Sequence, residues 1–152
     1  MLIRIKSFEA LTALELYKIL KLRQDVFNIE QKIAYSDIDG KDTHSLHFWV
    51  EGKSPTDILS YLRIILEETG KKASIGRVLT VPEARGKGTA RLLMKSALEH
   101  AKTHYPSWTI TLHAQEYLGD FYKSLGFIET GPVFNYPDED PLPHIPMEYK
   151  GN

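Results

Sequence analysis

The chain opens on an alternation. Ile3 and Ile5, extending to Phe8, are interleaved with Arg4 and Lys6, which predicts a short first strand. Thr12-Ala13-Leu14-Glu15 has capping-box spacing, and Leu16, Ile19, Leu20, Arg23 and Phe27 follow at helical intervals. One amphipathic helix is expected from about Leu11 to Ile29. Arg23 falls on its apolar stripe, so it either packs its stem and sends its head to solvent or anchors a nearby carboxylate. From Glu30 to His44 the chain is polar and turn-rich, and Leu46 to Val50, Ile58 to Leu66 and Ala73 to Val81 read as three successive strands. Residues 52–57 and 67–72 supply hairpin-type connections.

The clearest helix follows. Ala90, Leu93, Met94, Ala97, Leu98 and Ala101 form a stripe at 3.6-residue spacing that ends before Pro106. Trp108, Ile110 and Leu112 alternate with Thr109, Thr111 and His113 as a fifth strand. Leu118, Phe121, Tyr122 and Leu125 make a short third helix, stopped by Gly126. Phe127-Ile128 and Ile145 to Lys150 read as two closing strands around a loop rich in Pro and Asp. Hairpins combined with strand–helix–strand units imply an α/β (α+β) domain on a mixed sheet. The crossover from the Ala73–Val81 strand through the long helix should be right-handed, setting that strand parallel to the fifth.

Composition narrows the classes. A chain of 152 residues is sized for one domain, with 42% hydrophobic and 26% charged residues in the ordinary globular range. A formal net charge of −1 argues against a nucleic-acid or anionic-membrane binder. Cysteine is absent, which removes disulfides, thiolate metal sites and a cysteine nucleophile. No apolar run is long enough to span a bilayer, and the alternating start does not read as a leader, so a cytoplasmic protein is expected.

The chemistry concentrates in the basic glycine turn Arg85-Gly86-Lys87-Gly88-Thr89-Ala90, with Arg91 just inside the helix that follows. Unpaired N–H groups at a helix start, together with the helix dipole, favour an anion, and glycine lets a ligand approach the backbone. The spacing matches neither a P-loop nor a dinucleotide fingerprint. What fits is R-x-x-G-x-A on Arg85, Gly88 and Ala90, which resembles the pyrophosphate-binding motif of the GNAT superfamily of N-acetyltransferases. Phe121-Tyr122-x-x-x-Gly126-Phe127 is similar to a second segment of that superfamily, at the expected distance. The amino-terminal half resembles the ElaA-like branch through Leu22-Arg23, Val26-Phe27, Glu30-Gln31, Tyr35, Asp37, Asp39-Gly40, Asp42 and His47. So do His113-Ala114-Gln115 and Pro143-His144-Ile145-x-Met147.

The resemblance implies a twisted sheet of six or seven strands and three to four helices, with a splayed parallel central pair that holds acetyl-CoA as co-substrate. It implies no metal, a small-molecule or peptide amine as acceptor, and a homodimer as one assembly the superfamily uses. Carried over residue by residue, Leu79, Thr80 and Val81 form the bulged strand beside the pantetheine arm, whose backbone polarises the thioester. Arg85, Gly86, Lys87, Gly88, Thr89, Ala90 and Arg91 hold the diphosphate. Gln115 stands where many members have Asn, and Tyr122 takes the general-acid position; the alternative for Tyr122 is packing, since it shares a stripe with Leu118 and Leu125. Three tasks must be met: deprotonating the amine, polarising the carbonyl and protonating the thiolate. Glu30, His113 and His144 are candidate bases, and a water chain is the alternative. His44 and His47 read as structural, and His100 and His104 as solvated. Asp37, Asp39 and Asp42 do not fit an EF-hand; they read as turn-capping residues or, with Asp138-Glu139-Asp140, as an acidic rim favouring a cationic acceptor. The competing class is a non-catalytic CoA-binding regulatory module of the same fold.

Overall fold

The computed structural model describes residues 1–136 and 141–151. Seven strands, β1 (Ile3–Ser7), β2 (Ser45–Glu51), β3 (Ile58–Glu67), β4 (Lys72–Thr80), β5 (Thr109–Gln115), β6 (Phe127–Glu129) and β7 (His144–Tyr149), form one sheet in the order β1-β2-β3-β4-β5-β7-β6. Three α-helices, α1 (Ala13–Arg23), α2 (Thr89–His104) and α3 (Gly119–Ser124), complete the regular structure with several single-turn segments.

Both faces of the sheet's centre are covered, which is why β3 reads as a nearly continuous apolar run. Leu62 and Ile64 join Phe48, Ile75 and Leu112 under the α2 stripe of Leu93, Met94, Ala97 and Leu98. Tyr61 and Trp49 point the other way, packing with Ile19, Val26 and Phe27. Thr12 caps α1 through the expected reciprocal box, its side chain accepting from Glu15 N–H while the Glu15 carboxylate accepts from Thr12 N–H. The single helix expected to Ile29 is instead an α-helix to Arg23 followed by a π-helical stretch, Gln24–Glu30, marked by the Gln31 N–H donating to Val26 O. The apolar spacing carries no sign of that widened turn, a feature often found near functional sites. Phe8 leaves the first strand for a 3-10 turn.

β4 and β5 are parallel, as the right-handed crossover requires, but for only four residue pairs, from Lys72–Thr109 to Ile75–Leu112. Beyond them the strands separate, and β5 turns to β7 for its antiparallel partner. At the same point β4 carries an extra residue. Tyr61 opposes Leu79 and Arg63 opposes Gly76, so two steps on β3 face three on β4. The bulge therefore lies at Arg77-Val78 rather than in the Leu79–Val81 segment where it was expected; Leu79 and Thr80 pair regularly. Arg77 has φ +54°, left-handed for a bulky residue, and such a conformation costs on the order of 1–3 kcal/mol.

Candidate active site

The glycine turn and α2 meet as the sequence predicts. Gly86 and Gly88 adopt φ +78° and +80°, and Gly88 is the N-cap of α2. No side chain caps this helix and its first turn holds no acidic residue. The first intrahelical bond runs from Leu92 N–H to Gly88 O, so the N–H groups of residues 88–91 lie outside the ladder. Lys87 is exposed, whereas Thr89 is buried with its hydroxyl bonded to Ser60 at 2.7 Å, leaving its backbone N–H as its contribution to an anion site. Arg91 stacks over Phe121 and donates to Ser124 Oγ at 2.9 Å. Arg85 forms a bidentate pair with Glu30 at 2.7 and 2.8 Å and donates through Nε to Thr80 O.

A cavity of about 750 Å³ opens where the β4–β5 ladder ends. Ile75, Gly76, Arg77 and Val78 line it from β4, Thr111, His113 and Gln115 from β5, and Leu118 and Tyr122 close the helical side. Across from them stand Phe27, Asn28 and the segment holding Tyr35, Asp37 and Asp39. His144 and Tyr136 complete the wall. The fold thus gathers His113, Gln115, Tyr122 and His144 around one space. Leu79, Thr80 and the glycine turn lie outside this lining; Val81, Lys87 and Thr89 border a second depression of about 680 Å³ beside α1. Glu30 borders neither: it is exposed, and its bond to Arg85 holds its pKa below the ordinary value.

Tyr122 is only 4% exposed, edge-on to Phe121 and Phe127. Burial, with a smaller contribution from Tyr117, raises its phenol pKa, so the group stays protonated. His113 Nδ1 meets the Tyr136 hydroxyl. Burial, then the nearby His144 and Lys72, depress the His113 pKa, favouring a neutral ring at pH 7. His144 is buried, with its ring edge-on to Tyr136 at 4.9 Å. Gln115 exchanges amide hydrogen bonds with Gln31 at 2.9 and 3.3 Å.

The acidic run is neutralised from inside the protein. Arg23, fully buried, donates to Asp37 at 2.8 Å and to Asp42 at 2.6 Å. Arg63, also buried, donates to Asp42 and Asp39, and Arg77 reaches Asp37 Oδ1 at 2.8 Å, Asp37 O at 2.8 Å and Asp39 Oδ2 at 3.4 Å. Burial works to raise the pKa values of Asp39 and Asp42, but the arginine contacts outweigh it and both are lowered. The charge argument for a cationic acceptor therefore loses its first acidic run: each carboxylate already faces an arginine. The second, Asp138–Asp140, lies outside the described residues. The anchor alternative for Arg23 holds. Arg63, Arg77 and Tyr136 were not singled out from sequence; the only signal available was three unpaired-looking carboxylates in need of partners.

Relatives agree with this geometry. A family model for the acetyltransferase (GNAT) domain matches residues 25–150. Protein ElaA of Escherichia coli K12 is 36% identical over 138 residues, covering 90% of this chain and 88% of that protein. The crystal structure of E. coli ElaA superposes with a TM-score of 0.88 at 32% identity, covering 98% and 99% of the two chains. An acyl-CoA N-acyltransferase from Pseudomonas aeruginosa superposes at 0.86, also at 32% identity, over 99% and 100%. A spermidine N-acetyltransferase from Vibrio cholerae, crystallised with CoA and spermine, shares the fold at 21% identity and a TM-score of 0.70, over 96% and 94%. With its splayed β4–β5 pair and glycine turn, this chain belongs to the GNAT acetyltransferase family, in the ElaA-like branch.

Proposed function

We propose that the protein transfers the acetyl group of acetyl-CoA directly to an amine. The observation that carries this reading is the cavity that begins where β4 and β5 part, with Tyr122 and His113 both in its wall. The uncapped start of α2 behind Gly88, flanked by Lys87, Arg85 and Arg91, suits the diphosphate of CoA. The chain has no cysteine, so attack on the thioester within a ternary complex is the simplest route.

An amine of pKa about 10.4 is neutral in only about one molecule in 2,500 at pH 7, so a proton must leave as the N–C bond forms. His113, held neutral, and His144 are the bases the cavity offers; Glu30, ionised and committed to Arg85, is the weaker candidate. As the C–S bond breaks, the Tyr122 hydroxyl gives its proton to the departing thiolate. Because burial raises the phenol pKa, that transfer must be concerted with cleavage, and the same burial makes the thiolate more basic. The test is thiol release from acetyl-CoA across a panel of amines. Tyr122→Phe should lower kcat by about 100-fold with CoA affinity unchanged. If no amine releases thiol while CoA binds, the chain is a CoA-binding module instead; if Tyr122→Phe turns over normally, the acid lies elsewhere.

A further inference from the structure

We infer that Arg77 is a positioning residue: its guanidinium, gripped by Asp37 and Asp39, holds the β4 bulge in the shape that presents backbone donors to the thioester carbonyl. The inference rests on the acetyl-transfer reading and adds to it the device that sets the bulge.

Three observations converge on this residue. First, the extra residue of β4 sits at Arg77-Val78, immediately past the last β4–β5 pair, Ile75–Leu112. Among the described residues, the edge of β4 facing β5 beyond Ile75 pairs with no strand, which leaves its N–H groups open to a bound ligand. Second, Arg77 takes φ +54°, although Gly76 beside it is the residue that would take a positive φ without strain. A bulky side chain stays there only when its surroundings over-determine it. Third, those surroundings are visible. Arg77 Nη2 donates to Asp37 O at 2.8 Å, its Nε lies 2.8 Å from Asp37 Oδ1, and Asp39 Oδ2 is 3.4 Å away. Both aspartates are in turn pinned by fully or nearly fully buried guanidiniums, Asp37 by Arg23 and Asp39 by Arg63.

The chain of contacts therefore runs from the buried end of α1, through the loop of residues 37–42, to the bulge. The direction is set by Nη2, which donates to both Asp37 O and Asp39 Oδ2, while the Nε–Asp37 Oδ1 contact adds charge attraction without hydrogen-bond geometry. Bulges of this kind re-aim local groups beside active sites, and donors that polarise a carbonyl lose their effect when allowed to wander. Asp37 and Asp39 also line the cavity, so the loop that holds Arg77 is part of the same wall.

The experiment uses the full chain and acetyl-CoA labelled with carbon-13 at the carbonyl. Calorimetry gives CoA affinity, infrared difference spectroscopy gives the carbonyl stretch of the bound thioester, and thiol release gives kcat and KM with an accepted amine. For Arg77→Ala we expect CoA affinity within about threefold of wild type, a carbonyl stretch moved back toward that of free acetyl-CoA, and kcat lowered at least tenfold. Arg77→Gly, which takes a positive φ freely but lacks the anchor, should behave the same way. If Arg77→Ala keeps the wild-type stretch and kcat, or if Arg77→Gly restores both, the anchor is refuted. Should Arg77→Ala fail to fold, Arg77→Gln removes the guanidinium while keeping a polar side chain at the same position, and the carbonyl stretch decides in the same way. If the wild type binds no CoA, the acetyl-transfer reading and the anchor fall together. If the wild type shifts the carbonyl and the variants shift it equally, only the anchor falls.

Discussion

Arginine does opposite work at β4 and in the turn that follows it. Beside the bulge, Arg23, Arg63 and Arg77 meet Asp37, Asp39 and Asp42 in a ring in which each arginine reaches two aspartates, and Arg23 and Arg63 are almost wholly out of water. A few residues past the bulge, beyond Thr80, Arg85 and Lys87 are exposed around the uncapped start of α2. The first cluster commits its charge to the fold; the second keeps Lys87 and the helical N–H groups outward, with Arg85 held by the exposed Glu30. The lesson is that a run of like charges in a sequence has no functional sign until its partners are known. Asp37–Asp42 reads as an acidic rim, yet in the fold it is one half of a neutral network.

The largest expected effect separates the two clusters directly. Arg23→Ala leaves Asp37 and Asp42 without their buried partner and should cost about 3–5 kcal/mol, lowering Tm by on the order of 10 °C in a thermal melt. Acid should act on the same cluster. Asp39 and Asp42 have folded pKa values below the ordinary 3.8, so the folded state binds fewer protons there and stability falls as pH drops. Their contribution should be complete above about pH 5 and should fade only as pH descends below about 4, which chemical denaturation at stepped pH would reveal.

At the other cluster the effects are smaller. Gly88→Ala finds open space but must hold φ +80°, and should cost about 1–2 kcal/mol while weakening CoA binding. Glu30→Gln breaks a pair whose members are each 43% exposed, so the stability change should stay within about 1 kcal/mol and shrink with salt. It should also tighten CoA binding by a few fold, because Arg85 is released toward the diphosphate. Weaker binding in that variant would instead mark the pair as part of the site's support.

The elements that carry local signals were legible. The α2 stripe, the turn at Gly86 and Gly88 and the capping box at Thr12 rest on spacing within a few residues, and the parallel pair follows from the handedness of a crossover. What escaped depends on distance along the chain or on a single backbone angle. Arg63 meets Asp42 across 21 residues and Arg85 meets Glu30 across 55, separations at which no pattern survives in one sequence. The resemblance places the bulge at Leu79–Val81, but its left-handed residue is Arg77, and a positive φ at an arginine leaves no mark in the sequence. The π-helical stretch left no sign because Arg23 and Phe27 stand four residues apart, a spacing that an α-turn and a widened turn both accommodate.

The proposed diphosphate site at the start of α2 serves the cleft between β4 and β5. Isothermal titration of CoA into the folded full chain tests it most directly. The account predicts one CoA per chain, with affinity that falls as ionic strength rises and falls again in Lys87→Ala. Absence of binding heat at several temperatures, in protein whose melt is cooperative, would contradict it.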